Sequence, residues 1–477
     1  MVPTPLDLPI ADVSQPPAIR APARERWSWA IYDFANTIFS MNVATYYFGV
    51  WLVSDLGSTN TVVAIGNSTA SMLVALSIPV LGAISDARQR RVPWVIWLTL
   101  IACASTAFIG VIGYQMMPVV GDSVVPAAVR SPGWHVGGAP LVWIIAAFVL
   151  ANYTYQGALP FYNAMLPELV PIHERGRLSG LGVAIGYVGS IAGIVFTAPF
   201  FNGSLAGVMQ LPATFIHGIR SIVPFTSHGG RVSSFVPTAI LYLLFSLPLF
   251  VFCRDHHPIR AKRPIHWREA FASVFETIRH SRRYPGALRF ILASFLYQDA
   301  MGTIISFLGI YAVEVVGFSK GTEITLFIVL IIPGVLGSYL SGVLVDRIGA
   351  KRTTLWVLVS WVVLLIALVA IPSRTGFWVV GSCIGFIFGG LNTSERPLLL
   401  SLIPDVEAGR FFGLMVLSAR AAAVVGPLIF ALIADGLAHA LGAATAYRIA
   451  VMTITLGFVG AFFVIRGVPD RFRHEQQ

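Results

Sequence analysis

Charge is the scarcest ingredient of this chain. Only 11% of its 477 residues are Asp, Glu, Lys or Arg and 56% are apolar, whereas a soluble domain carries about 25% charged and about 45–50% apolar residues. A water-soluble globule is therefore excluded. Cysteine is also scarce: Cys103, Cys253 and Cys383 stand singly in apolar runs. This spacing supports neither a disulfide framework nor a zinc site. A Gly-x-x-x-x-Gly-Lys-Ser/Thr loop is missing, which argues against ATP-driven chemistry. His173, His256 and His257 lie in charged loops without a nucleophile or ligand partner, so they read as solvated loop residues and no enzymatic activity or cofactor is expected. The first 26 residues hold six prolines and no apolar h-region; no cleavable signal is expected, and residues 1–26 read as a disordered tail.

What is abundant is membrane-length apolar sequence. A helix crosses a bilayer in about 20 residues. Twelve runs qualify: 27–53, 60–84, 93–117, 141–166, 179–201, 233–253, 287–315, 321–344, 353–371, 377–402, 411–434 and 445–465. With the N-terminus placed in the cytoplasm, inward-facing segments carry 23 Lys or Arg and outward-facing ones 5. This is the positive-inside bias. Both termini are thus expected in the cytoplasm of a multi-pass plasma-membrane protein. The net charge of +10 is matched to anionic lipid headgroups rather than to nucleic acid.

The longest inward segment, 254–286, holds eight Lys or Arg and follows the sixth run, dividing the chain into six-span halves, 27–253 and 287–466, with a short tail at 467–477. Within it Trp267, Phe271, Val274, Phe275 and Ile278 recur at helical spacing. They mark either an interfacial helix on the inner leaflet or a linker helix packed on the protein. The long outer loops 118–139 and 202–232 have no reading.

The halves repeat each other. Asp33-Phe-Ala-Asn-Thr37-Ile38 matches Asp299-Ala-Met-Gly-Thr303-Ile304; Gly82-Ala-Ile-Ser-Asp86 matches Gly342-Val-Leu-Val-Asp346; and Pro171-x-x-Glu174-x-Gly176-Arg177 matches Pro404-x-x-Glu407-x-Gly409-Arg410. Parallel six-helix repeats with a site between them at the bilayer midplane are a transporter pattern. The Gly-x-x-x-Asp elements with trailing basic residues resemble the signature of the major facilitator superfamily: Gly342, Asp346, Arg347, Gly349, Lys351 and Arg352 in the second copy, Gly82, Asp86, Arg90 and Arg91 in the first. That resemblance implies an all-α membrane protein of the major facilitator fold, with 12 transmembrane helices in two six-helix bundles and spans 1, 4, 7 and 10 lining the cavity. The glycines permit close helix approach. Each aspartate is placed to meet the positive N-terminus of span 11 or span 5 and to act in gating. The glycine run Gly180 to Gly193 reads as small-residue helix packing.

Polar groups deep in apolar spans are costly and usually face a cavity or a partner. Asp33 and Asp299 sit at matching repeat positions and are the candidate proton-coupling pair. Tyr32, Asn36, Asn152, Tyr155, Gln156, Tyr297, Gln298, Asn392, Glu395, Arg396 and Arg420 are the candidate cavity residues. Arg396 and Arg420 suit an anionic group or Glu395, with Arg396 expected to face the cavity and Glu395 to bridge helices.

The segments Trp29-Ala-Ile-Tyr32-Asp33-Phe-Ala-Asn36, Phe161-Tyr162-Asn163-Ala-Met-Leu-Pro167-Glu168, Leu296-Tyr297-Gln298-Asp299, Phe411-Phe412-Gly413 and Gly426-Pro427-Leu428 resemble the autophagy-related vacuole effluxer family. This implies a secondary transporter of amino acids or another small polar solute, working by alternating access as a monomer with protons or another coupling ion. Arg90-Arg91-Val92-Pro93-Trp94 also resembles cation-coupled sugar symporters. A non-transporting assembly factor or receptor on the same fold is the remaining alternative; buried charges at midplane argue against it.

Overall fold

The protein is described by a computed structural model covering residues 20–88, 90–116, 119–120, 123–124, 138–205, 209–256, 284, 286–318, 323–371 and 373–470. The linker helix expected at 267–278, most of the outer loop 118–139 and the outer parts of both tails lie outside the described residues.

The described residues fold into twelve long helical segments. The first, α1, is α-helical over Ala23–Phe39 and continues as a π-helix over Ser40–Tyr47, a short α-turn and a second π-stretch, Trp51–Asp55. The others are α2 (Asn60–Arg88), α3 (Val92–Met116), α4 (Ala139–Ala164), α5 (Arg175–Phe201), α6 (Phe235–Phe252), α7 (Ala287–Glu314), α8 (Glu323–Ile348), α9 (Ala350–Ala370), α10 (Arg374–Leu402), α11 (Ala408–Leu441) and α12 (Ala443–Arg466). Eleven helices among the described residues are long and apolar enough to span a membrane. The interrupted α1 is the twelfth segment. It starts four residues earlier than expected, behind Pro22, so Ala23–Arg26 belong to the bundle and not to the tail. Proline suits this start because its fixed backbone angle and missing N–H cost nothing where the helix leaves its first donors unpaired.

Two turns between spans are especially short. A single glycine separates α8 from α9 and another α11 from α12: Gly349 (φ 92°) and Gly442 (φ 80°). Only a residue without a Cβ takes this backbone region at low cost. Trp97, Trp143, Trp356, Leu432, Leu456 and Phe463 are exposed on the outer surface of the bundle, as a lipid-facing belt requires.

The helix packing is doubled. In the first half α1 packs on α5 and α6, α3 on α4 and α6, and α2 on α4; in the second, α7 packs on α11 and α12, α9 on α10 and α12, and α8 on α10. The halves meet through α2 against α11 and α5 against α8, with smaller contacts of α5 with α10 and α4 with α11. The glycine run of α5 supplies one of these seams and one intra-half seam. Gly182, Gly186, Gly189 and Gly193 lie against α1, Gly176 and Gly180 against α8. One end of the bundle carries both described ends of the chain and the Lys/Arg-rich turns; it is called the basic face below.

Candidate functional site

At the basic face the two halves are clasped twice, by symmetric devices. Asp86, at the end of α2, accepts hydrogen bonds from the Gly409 (2.9 Å) and Arg410 (2.7 Å) backbone amides. Asp346, at the end of α8, accepts from those of Gly176 (2.8 Å) and Arg177 (3.0 Å). The first amides of a helix have no partner within it and carry its positive dipole end, so a carboxylate is the natural acceptor for both. Glycines make the approach possible. A Cβ on Gly82 would collide with the Gly409 carbonyl, and one on Gly342 would lie 2.5 Å from that of Gly176.

The basic residues after each aspartate differ. Arg91 is fully buried and donates to the Ala164 carbonyl, to Glu168 Oε1 (2.6 Å) and, across the halves, to the Asp405 carbonyl (2.9 Å). Arg175 pairs with the Asp405 carboxylate at 2.6 Å, so Asp405 ties two arginines of the first half to the second. At the equivalent second-half position Lys351 donates instead to the Arg466 carbonyl (3.1 Å), and Arg352 faces Asp470 at 3.6 Å. Beside Lys351 lies a cavity of about 120 Å³ lined by Arg175, Asp346 and Asp405 among others. Arg90 and Arg347 are exposed.

Deeper in, Asp33 lies about 15 Å along α1 from its start, at 1.5 Å per residue. Its Oδ2 accepts from Arg396 Nη1 of α10 at 3.1 Å, joining the two halves. Asp33 and Arg396 are both buried. The guanidinium also sits 5.5 Å from the Trp29 ring centre and 5.6 Å from that of Tyr162. These rings stack at 4.5 Å and lock each other, with Trp29 Nε1 donating to the Tyr162 carbonyl and the Tyr162 hydroxyl to the Trp29 carbonyl. Cation, anion and ring faces together satisfy a charge that alone would be very costly here. Next to Arg396, Pro397 lacks an N–H and so frees the carbonyl four residues earlier. That carbonyl, on Thr393, accepts from the Ser179 hydroxyl of the other half at 2.8 Å.

The repeat does not carry this arrangement over to Asp299, which is half-buried and accepts from the Gly426 amide of α11 at 2.6 Å. Glu395 Oε2 accepts from Tyr297 (3.1 Å) and Gln298 (2.9 Å) of α7, joining α10 to its own half. Asn392 donates to the Tyr187 hydroxyl at 3.3 Å. Arg420 is half-buried on α11 and its charge bears on Tyr155 of α4; its Nε is buried without a hydrogen-bond partner. Tyr155 itself packs on Phe39, 4.8 Å between ring centres.

Several expectations need correction. Tyr32 is not a cavity residue: it is fully buried in the first half, its hydroxyl 2.7 Å from that of Thr99. Asn36 is also buried and accepts from Tyr242 at 3.4 Å. Asn152 and Gln156 are buried in an intra-half chain, Gln156 donating to Asn152 (2.8 Å) and Asn152 to Asn67 (3.3 Å). Arg396 donates through Nη1 to Asp33. His256 is not a free loop residue, since its Nε2 lies 2.7 Å from Glu25 Oε2 and its amide donates to Glu168 at 3.0 Å. Ser179, Arg175 and Asp405 were not singled out in the sequence; Trp29, Tyr162 and Glu168 stood in the family-like segments without a role assigned to them. Pro397 offered a further signal, since a proline inside a helix frees a carbonyl on the preceding turn.

Among the described residues, every hydrogen bond, ion pair and ring contact between the halves lies at the level of Tyr187 and Phe388 or nearer the basic face. The bundle is closed on that side.

Residues 34–427 match the family profile described as Major Facilitator Superfamily. An uncharacterized MFS-type transporter of Bacillus subtilis, YxiO, is 24% identical over 86% of this chain and 88% of its own length. The human organic anion transporter MFSD10 shares the fold at a TM-score of 0.63 with 15% identity, covering 94% of this chain and all of that one. Escherichia coli FucP in its outward conformation does so at 0.65 with 14% identity, covering 93% and 97%. With this coverage, a doubled six-helix architecture and the paired aspartate clasps, the chain belongs to the major facilitator superfamily of membrane transporters.

Proposed function

We propose that this protein is a proton-coupled secondary transporter that moves a small polar solute, an amino acid or a similar compound, across the plasma membrane by alternating access. The observation that carries this reading is the Asp33–Arg396 ion pair, buried between the halves. A carboxylate holding a cation from the opposite bundle loses its grip when protonated. The pair therefore links proton occupancy to the contact between α1 and α10. The clasps of Asp86 and Asp346 are the gate that must open for release on the other side; their closure at the basic face, taken as cytoplasmic, supports an outward-facing state. Both termini are cytoplasmic, by the distribution of Lys and Arg, and the two six-helix bundles work within one monomer. The solute class follows the motif resemblance to the vacuole effluxer family; solute and proton are the partners, with lipid around them.

A ligand-stabilisation screen over amino acids, sugars and organic ions identifies the solute by a raised melting temperature. In proteoliposomes an imposed pH gradient then accumulates it. Asp33→Asn keeps exchange of labelled for unlabelled solute and loses accumulation; Asp299→Asn is the parallel test of the second candidate. Accumulation by Asp33→Asn equal to that of the parent overturns coupling at Asp33. Cysteines on the two faces whose accessibility never alternates overturn transport itself.

A further inference from the structure

Four charged groups at the middle of the bundle have partners, and one does not. Asp33 and Arg396 hold each other, Glu395 accepts from Tyr297 and Gln298, and Asp299 accepts from the Gly426 amide. Arg420 is the exception. It lies about 18 Å along α11 from its start, close to midplane. Its Nε is buried without a hydrogen-bond partner, and no carboxylate lies within ion-pair distance of it among the described residues. Its helix, α11, packs against α4 of the other half; Arg420 is followed by the small residues Ala421, Ala422 and Ala423, and Tyr155 of α4 lies within its electrostatic reach. An unpaired cation at this depth is costly and marks a pathway or a ligand. Arg396 already holds Asp33 through its Nη1 and lies against the Trp29 and Tyr162 rings.

We propose that Arg420 anchors an anionic group of the transported solute, and that the solute is an organic carboxylate. The inference rests on the transport reading above. The planar guanidinium presents two parallel N–H groups that match a carboxylate. A solute seated there touches α11 of the second half and Tyr155 of the first, so its binding bears on how the halves sit together. The Asp33–Arg396 pair lies nearer the basic face and remains free to respond to protons.

The test uses the purified full chain in nanodiscs and the probe pairs L-leucine and L-leucinamide, lactate and lactamide, and benzoate and benzamide. At least one acid is expected to raise the melting temperature more than its amide does. Arg420→Gln is expected to bind that acid on the order of 10- to 100-fold more weakly, and Arg420→Lys, which keeps the charge without the fork, to lie between them. Unliganded melting within a degree or two of the parent certifies that the variants fold; should Arg420→Gln fail this, Arg420→Lys carries the comparison. Equal stabilisation by acid and amide, no stabilisation by any acid, or parental affinity in the folded variants overturns the assignment. If cysteine accessibility still alternates under a pH gradient in that case, the anion site falls and the transport reading stands. If it does not alternate in the parent, transport falls independently of Arg420.

Discussion

Asp86→Asn is the most direct way to weaken one clasp while leaving its geometry nearly intact. In the parent, the two carboxylate oxygens accept two amide hydrogen bonds, 2.9 and 2.7 Å long, at the start of α11. Asparagine retains one acceptor oxygen, turns an NH₂ group toward the second amide and removes the charge that faces the helix dipole. A hydrogen bond to a charged group contributes about 1.5–3 kcal/mol and the dipole term about 0.3–1 kcal/mol, so the closed state should lose roughly 2 kcal/mol. The open state lacks this contact and loses nothing. At 1.4 kcal/mol per factor of ten, the closed-to-open ratio should fall about 30-fold. Spin labels at Arg24 and Arg347, exposed at the basic face on opposite halves, read this as a new longer-distance population and a slower transport cycle. Asp346→Asn should do the same at the other clasp. Unchanged distance distributions and unchanged turnover in both variants would remove the aspartates from gating.

The remaining predictions concern what holds the halves together. Asp33→Asn or Arg396→Gln alone should destabilise the protein by about 3–5 kcal/mol, because each leaves a buried charge uncompensated; the double variant should recover much of this in denaturation, and strictly additive losses would deny the pair. Ser179→Ala should cost about 1–3 kcal/mol by orphaning the Thr393 carbonyl, and an unchanged melting temperature would show that water replaces the hydroxyl. Gly176→Ala puts a methyl 2.5 Å from Asp346 Oδ1 and 2.6 Å from the Gly342 carbonyl. It should wedge α5 from α8 and favour the state open at the basic face, read by the same spin labels. Cys253 is buried, which pushes its thiol up to about 12, with Glu25 adding to the effect. The unfavoured thiolate predicts no maleimide labelling at pH 8 until the protein is denatured, and labelling of the native chain would contradict that burial.

The membrane class, the division into two halves and the repeat were legible in the sequence, because hydropathy and spacing are local properties. A run such as 93–117 must be helical in lipid wherever its neighbours lie, since a bilayer offers no other partner for backbone groups. The aspartates of the clasps were legible for a similar reason: Gly82 and Gly342 four residues ahead mark helix ends that another helix can approach closely. The beginning of α1 was missed because Arg24, Glu25 and Arg26 depress local hydropathy. The tertiary structure alone decided how the charges pair. Asp33 and Asp299 are equivalent in sequence, yet one holds an arginine 363 positions away and the other a backbone amide. Tyr32 and Tyr297 likewise flank equivalent aspartates but point into different surroundings. A repeat preserves where a residue lies along its helix, whereas partnership depends on which faces of other helices arrive there. The partner that reaches the freed Thr393 carbonyl, the Asp33 contact of Arg396 and the unpaired Arg420 therefore emerge only once α10 and α11 are set against α1, α4 and α5.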